Sequence, residues 1–166
     1  MSVEVIENGN IFDSKSTYLV NAVNCVGIMG AGIAKAFADM YPKMYDEYKT
    51  LCKVGVYEIG KPRIHQVDNG KYVVNFPTMK YPGSKSSLLD IVKGLQYLKT
   101  RLKQDYDNDN TPLSVAFCAL GCGVGKLNVY DVLNEVEKTF KYTNWCNVEF
   151  YLPAGYTNIK NVNQED

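Results

Sequence analysis

The chain has 166 residues, 46% of them hydrophobic, and its 18 Lys and Arg balance 18 Asp and Glu, so the formal charge is zero. That length suits one core, and the even charge balance excludes a broad basic field that would hold a nucleic-acid backbone or an anionic membrane nonspecifically. No stretch nears the ~20 apolar residues of a membrane span, Met1-Ser2-Val3-Glu4 lacks signal-peptide features, and five cysteines without a C-x-x-C pair suggest neither a disulfide framework nor a zinc site; the expectation is a protein of the cytoplasm or another reducing intracellular compartment, with no metal and no cofactor.

In chain order, Val3, Val5 and Ile6 alternate as a strand does, and Tyr18, Leu19 and Val20 form the short apolar run of a strand buried on both faces. A glycine-rich turn follows, and Gly30 to Met40, ended by Pro42, predicts a helix that starts on it. Pro42 to Lys53 predicts a second helix with proline in its first turn. Ile64 to Val67, then Asp68-Asn69-Gly70, then Lys71 to Phe76 reads as a hairpin, because Asn-Gly supplies the positive φ angles of a tight connection. Ser87 with Asp90 three residues on forms a capping box before the amphipathic set Leu88, Ile91, Val92, Leu95, Leu98 and Leu102. Tyr106 to Pro112 reads as a polar connection, and Leu113 to Ala119 as a central strand leading into a second glycine-rich turn. Asn128 caps a helix whose inward face is Val129, Val132, Leu133, Val136 and Phe140, and Val148 to Leu152 is the last strand. Residues 1–157 are expected to form a single domain and 158–166 a frayed tail. Strands alternating with helices predict an α/β fold of three layers, α/β/α, around a mixed, largely parallel sheet.

The two turns carry the chemistry. Each follows an apolar run and precedes a helical pattern, so each can aim bare backbone N–H groups at an anion, and the pair suggests a diphosphate held between them. Commoner glycine motifs fail. A Walker A loop needs glycine where Leu120 stands and a hydroxyl where Leu127 stands. A dinucleotide fingerprint needs a third glycine where Lys35 and Lys126 stand.

Asn21-Ala22-Val23-Asn24, Gly30-Ala31-Gly32-Ile33-Ala34 and Leu120-Gly121-Cys122-Gly123-Val124-Gly125, with Gly9-Asn10-Ile11 upstream, resemble the macro domain family, whose members bind ADP-ribose and its derivatives. Asn24 to Gly30 and Asn75-Phe76-Pro77-Thr78 are most similar to the branch of ADP-ribosyl glycohydrolases, which includes antitoxins that strip ADP-ribose from DNA. The resemblance implies that Asn10 and Ile11 meet adenine and that Leu152 covers its face. It implies that Gly30, Ala31, Gly32 and Ile33, with Gly121, Cys122, Gly123, Val124 and Gly125, surround the diphosphate. Asn24 would meet the distal ribose, and Asn21 joins the ligand-binding set at the head of its motif. An amide such as Asn24 offers a sugar diol both acceptor and donor, although an asparagine in a turn can instead bond its own backbone. Asn10 stands where aspartate is usual, and Tyr81 and Tyr151 are candidates to line the cleft or stack on a base.

Catalytic residues depart from that branch. A lysine there directly follows Phe-Pro-Thr, but Met79 holds the place here and Lys80 comes one residue later, so Lys80 can serve only if the chain is irregular. Gly125 replaces an acidic residue of some relatives. His65, the only histidine, lies apart from both loops in sequence and is read as a surface or packing residue. Cys25 and Cys122 are read as packing thiols. The expected activity is hydrolysis at the distal ribose, with Asn24 and Lys80 as catalytic candidates and water held between the substrate's phosphate and its anomeric carbon. The substrate would be an ADP-ribosylated macromolecule or ADP-ribose 1''-phosphate; the alternative is a noncatalytic ADP-ribose reader.

Overall fold

The computed structural model describes residues 3–159, so most of the tail expected at 158–166 lies outside the described residues. Strands β1 (Glu4–Ile6), β2 (Tyr18–Val23), β3 (Arg63–Gln66), β4 (Tyr72–Pro77), β5 (Leu113–Phe117) and β6 (Cys146–Tyr151) form one sheet ordered β1-β6-β5-β2-β4-β3. All pairs are parallel except β3 with β4, so the sheet is mixed and largely parallel as expected. The four helices are α1 (Gly32–Met40), α2 (Pro42–Lys53), α3 (Leu88–Asp109) and α4 (Val129–Phe140).

Two adjacent residues of β4 establish the layers. Asn75 donates to Met44 Sδ of α2, while Phe76 lies against Gly94 of α3. Successive side chains on a strand point to opposite faces, so α2 and α3 cover opposite sides of the sheet. Helix α1 packs with α2 and helix α4 with α3, which completes the α/β/α sandwich. Gly94 is required there, because a Cβ would come within 2.3 Å of the Phe76 ring. Fully buried Phe37, Phe76, Phe117, Phe140 and Phe150 fill the two interfaces. The inward face of α4 is the expected set, and Asn128 Oδ1 caps it by accepting from the N–H groups of Tyr130 and Asp131.

Three local expectations are corrected. The hairpin is present, but its connection, residues 68–70, is a 3-10 turn, in which Gly70 takes a φ of +72°. Tyr106 to Asp109 is helical: Arg101–Asp105 and Lys103–Asp107 pair one turn apart, and Tyr106 packs on Trp145 at 5.9 Å. What read as a polar linker is the solvated last turns of α3, closed by Asn110 at a φ of +57°. Ser87 begins α3, but its side chain makes no capping bond. Among the described residues no helix is long and apolar enough to cross a membrane.

The register positions the functional end. Val20 pairs with Phe117, Val23 with Pro77 and Phe117 with Phe150. The loops after β2, β4, β5 and β6 therefore leave side by side at the carboxyl edge of the sheet, where open α/β folds place ligands.

Candidate functional site

A cleft of about 320 Å³ opens at that edge, lined by Ala22, Val23 and Asn24 from β2 and its exit, by residues 30–34, by Met79, and by Gly121, Gly123, Val124 and Gly125. A second cavity of about 490 Å³ adjoins it; Ile33 and Ala119 line both, and Asn10, Ile11, Tyr151 and Leu152 line the second. Together they make one path, a glycine-lined part followed by one bordered by Ile11, Tyr151 and Leu152.

Helix α1 starts with its donors open. Its N-cap, Ala31, is extended and has no capping side chain, and the first helical bond runs from Lys35 N to Ala31 O. The N–H groups of Gly32, Ile33 and Ala34 are left without helical acceptors at the positive end of the helix, on the cleft wall. The opposite wall works differently. Cys122, Lys126 and Leu127 donate their N–H groups within the loop, to Ala119, Gly123 and Gly121, while those of residues 123–125 donate to no main-chain acceptor among the described residues. This loop is no helix start, since α4 begins beyond it under its own Asn128 cap. Gly125 is pinned by Ser86, whose N–H donates to Gly125 O at 3.0 Å. A Cβ on Gly125 would lie 2.2 Å from Ser86 Oγ, so the acidic side chain of some relatives has no room here.

Asn24 is 7% exposed and heavily engaged. Its Oδ1 accepts from Val26 N at 3.0 Å, Ile28 N at 3.3 Å and the Tyr48 hydroxyl at 2.9 Å, and its Nδ2 donates to Ile28 O at 2.6 Å. The acceptor end thus organises residues 24–28, and one amide hydrogen is left for a ligand. Tyr48, on α2, also contacts Asn24 O at 2.8 Å, and burial pushes its phenol well above the usual range, which keeps it a donor. Sequence reasoning missed Tyr48, because four-residue spacing from Met44 marks only the buried face of a helix. Ser86 was missed as well, and no sequence signal marks it.

Other candidates fall in different places. Asn10 is exposed, with Oδ1 accepting from Phe12 N to cap a 3-10 turn; Ile11 and Leu152 are buried beside it. Asn21 does not reach the cleft. It is fully buried and donates to Asn75 Oδ1 and Met29 Sδ, and its own Oδ1 has no partner among the described residues. Lys80 is off the cleft lining and exposed, its ammonium 5.6 Å from the Tyr81 ring centroid, whereas Met79 lines the cleft. Cys122 is also off the lining; its thiol meets Leu120 O, and burial, with Asp131 second, pushes it up to about 12. Burial first and Cys52 second push Cys25 up to about 11, so neither thiol is nucleophilic near neutrality. His65 is no surface residue. It is 6% exposed and closes a buried chain in which Asn75 Nδ2 donates to the Tyr57 hydroxyl, Tyr57 bonds His65 Nε2 at 2.6 Å and His65 Nδ1 meets Glu47 at 3.0 Å.

Two main-chain loops opening from neighbouring strands onto one cleft define an α/β/α domain whose unpaired backbone donors face a single cavity. The Macro domain family model matches residues 20–136, and the chain belongs to that family. The chain is similar to a DNA ADP-ribosyl glycohydrolase of Mycobacterium tuberculosis, 35% identical over 151 residues that take in 89% of the chain and 42% of the relative; it spans less than half the length of that protein. A shorter stretch of 46 residues, 27% of the chain and 23% of the relative, is 44% identical to an ADP-ribose 1''-phosphate phosphatase of Aspergillus oryzae. The solved macrodomain of Mycobacterium tuberculosis DarG matches with a TM-score of 0.80 at 34% identity, covering 92% of this chain and 99% of that one.

Proposed function

We propose that this macro domain binds ADP-ribose and hydrolyses the bond at its distal anomeric carbon, releasing ADP-ribose from a nucleic acid. The observation that carries the reading is the pairing of open N–H groups: those at the start of α1 and those of residues 123–125 line one cleft. A diphosphate is the anion of matching span, and backbone donors bind it without the rotamer cost of long side chains. The adjoining cavity of Ile11, Tyr151 and Leu152 suits a purine, and the distal ribose falls toward Asn24 and Met79. The loops hold the diphosphate and the free hydrogen of Asn24 holds the ribose. A water then bonds to the anomeric carbon as the bond to the attached group breaks, its proton passing to a diphosphate oxygen and the leaving group taking one from solvent.

The nature of the attached group is read from charge. Residues 24–39, 79–90 and 119–131, which frame the cleft, carry Lys35, Lys80, Lys85 and Lys126 against Asp39, Asp90 and Asp131, and Lys35 pairs with Asp39 at 2.7 Å. The excess of positive charge is slight and favours a polyanionic substrate over an acidic peptide only weakly. Lys80, on this rim, attracts the polyanion rather than moving a proton. The printed activity of the mycobacterial relative agrees with this choice.

A second reading, a noncatalytic reader, is favoured by Met79 in the cleft where the glycohydrolase branch carries lysine. Titration calorimetry with ADP-ribose followed by product assays on ADP-ribosylated DNA, ADP-ribosylated protein and ADP-ribose 1''-phosphate separates the two. Release from DNA supports hydrolysis; tight binding with no turnover of any substrate establishes the reader; no binding ends both.

A further inference from the structure

We infer that Tyr48 is a positioning residue for the distal ribose, acting through Asn24; the inference rests on the proposed ADP-ribose site. Tyr48 belongs to α2, on no wall of the cleft, and its ring is fully buried. Its hydroxyl nevertheless lies within hydrogen-bond distance of both oxygens of Asn24, 2.8 Å from the main-chain O and 2.9 Å from Oδ1. A phenol has one proton, so the two oxygens share it, and the shared bond fixes the side-chain amide relative to its own backbone. With Val26 N and Ile28 N on Oδ1 and Ile28 O on Nδ2, the amide can neither flip nor swing. Its single remaining hydrogen has one direction. A donor fixed before the ligand arrives loses no rotamer freedom on binding and holds the anomeric carbon where water attacks.

Tyr48 is itself held from behind. The edge of Tyr57 meets it at 5.0 Å and 84°, and Tyr57 is anchored by Asn75 and His65. Removing the hydroxyl therefore leaves the ring in place.

Tyr48→Phe is the test, with ADP and ADP-ribose as paired probes. ADP carries the diphosphate and adenosine but lacks the distal ribose, so it reports the loops alone. The expected result is an ADP affinity within about twofold of the parent, an ADP-ribose affinity lower by about fivefold to tenfold, and a kcat lowered with it. In an Asn24→Ala background the same substitution should leave ADP-ribose binding unchanged, since its effect passes through that amide. Equal weakening of both ligands, or no change in either, overturns the inference, as does an undiminished effect without Asn24. Should the parent protein bind ADP but not ADP-ribose, the inference falls; should it bind neither, the proposed site itself is wrong.

Discussion

The two glycine loops look alike in sequence and are built on opposite physical terms. In the first, the space is open: a Cβ on Gly30 meets only Ile28 at 3.5 Å and one on Gly32 meets nothing within 4 Å, so Gly32 is needed for its left-handed φ of +58° rather than for room, and the helix behind begins without a cap. In the second, Gly123 is open but its neighbours serve closeness: a Cβ on Gly121 meets Leu127 at 2.9 Å, one on Gly125 meets Ser86 at 2.2 Å and Gly121 O at 2.5 Å, and the helix beyond is capped. One wall thus offers an unfilled helix end, and the other a folded-back ribbon clamped from outside. Equal glycine content conceals unequal tolerance, and substitutions expose it.

Gly125→Ala should do most damage. Overpacking costs about 1–3 kcal/mol, and a loop moved by about an ångström loses about a hundredfold in turnover and ADP-ribose affinity; calorimetry, a melting curve and kinetics read all three, with Ser86→Gly restoring part of the loss. Next, Met79→Lys between the loops should raise kcat by at least about tenfold if the site lacks only a proton-transfer group. No turnover in either parent or variant favours the reader. Asn128→Ala should cost about 1 kcal/mol in the melt and leave ADP-ribose affinity as it was, because the capped helix faces no ligand.

A smaller effect is expected from the buried thiols. Cys122 is raised to about 12 and Cys25 to about 11 in the folded chain, from 9.0. The unfolded chain loses those protons first, so stability is complete below about pH 9 and falls as pH rises from there, through about 11 for Cys25 and about 12 for Cys122. Melts across that range in the parent and in Cys122→Ala check it: the variant should lose less. Gly30→Ala is the smallest, with ADP-ribose affinity within about twofold, since its Cβ finds ordinary contact. A large loss there would mean that the open wall is in fact tightly filled by the ligand.

Much of the fold was legible because local signals agreed. Pro42 started α2, Asn128 capped α4, and apolar runs marked β2 and β5. Misreadings arose where tertiary contact decides. The last turns of α3 look like a linker until Trp145 covers Tyr106, and Asn69-Gly70 reads as the tight turn of a hairpin where the chain makes a 3-10 turn. Within the site, the main-chain loops could be read from glycine spacing. What lay hidden were contacts between distant segments: Ser86 on Gly125, Tyr48 on Asn24, and the use of Asn21 inside the sheet rather than on the cleft. No periodicity encodes a pairing of that kind.

Strand β2 outruns β5. Their pairing ends with Val20 opposite Phe117, yet β2 continues beside β4 to Val23. Three further residues at about 3.3 Å each make a step about 10 Å tall in the rim of the sheet, and Ala22 and Val23 on its riser line the cleft. The depth available to a guest is therefore set by stagger between neighbouring strands. Ordinary core substitutions leave that depth alone, while lengthening β5 by one pleat would fill about two thirds of the step and shorten the guest the protein could accept.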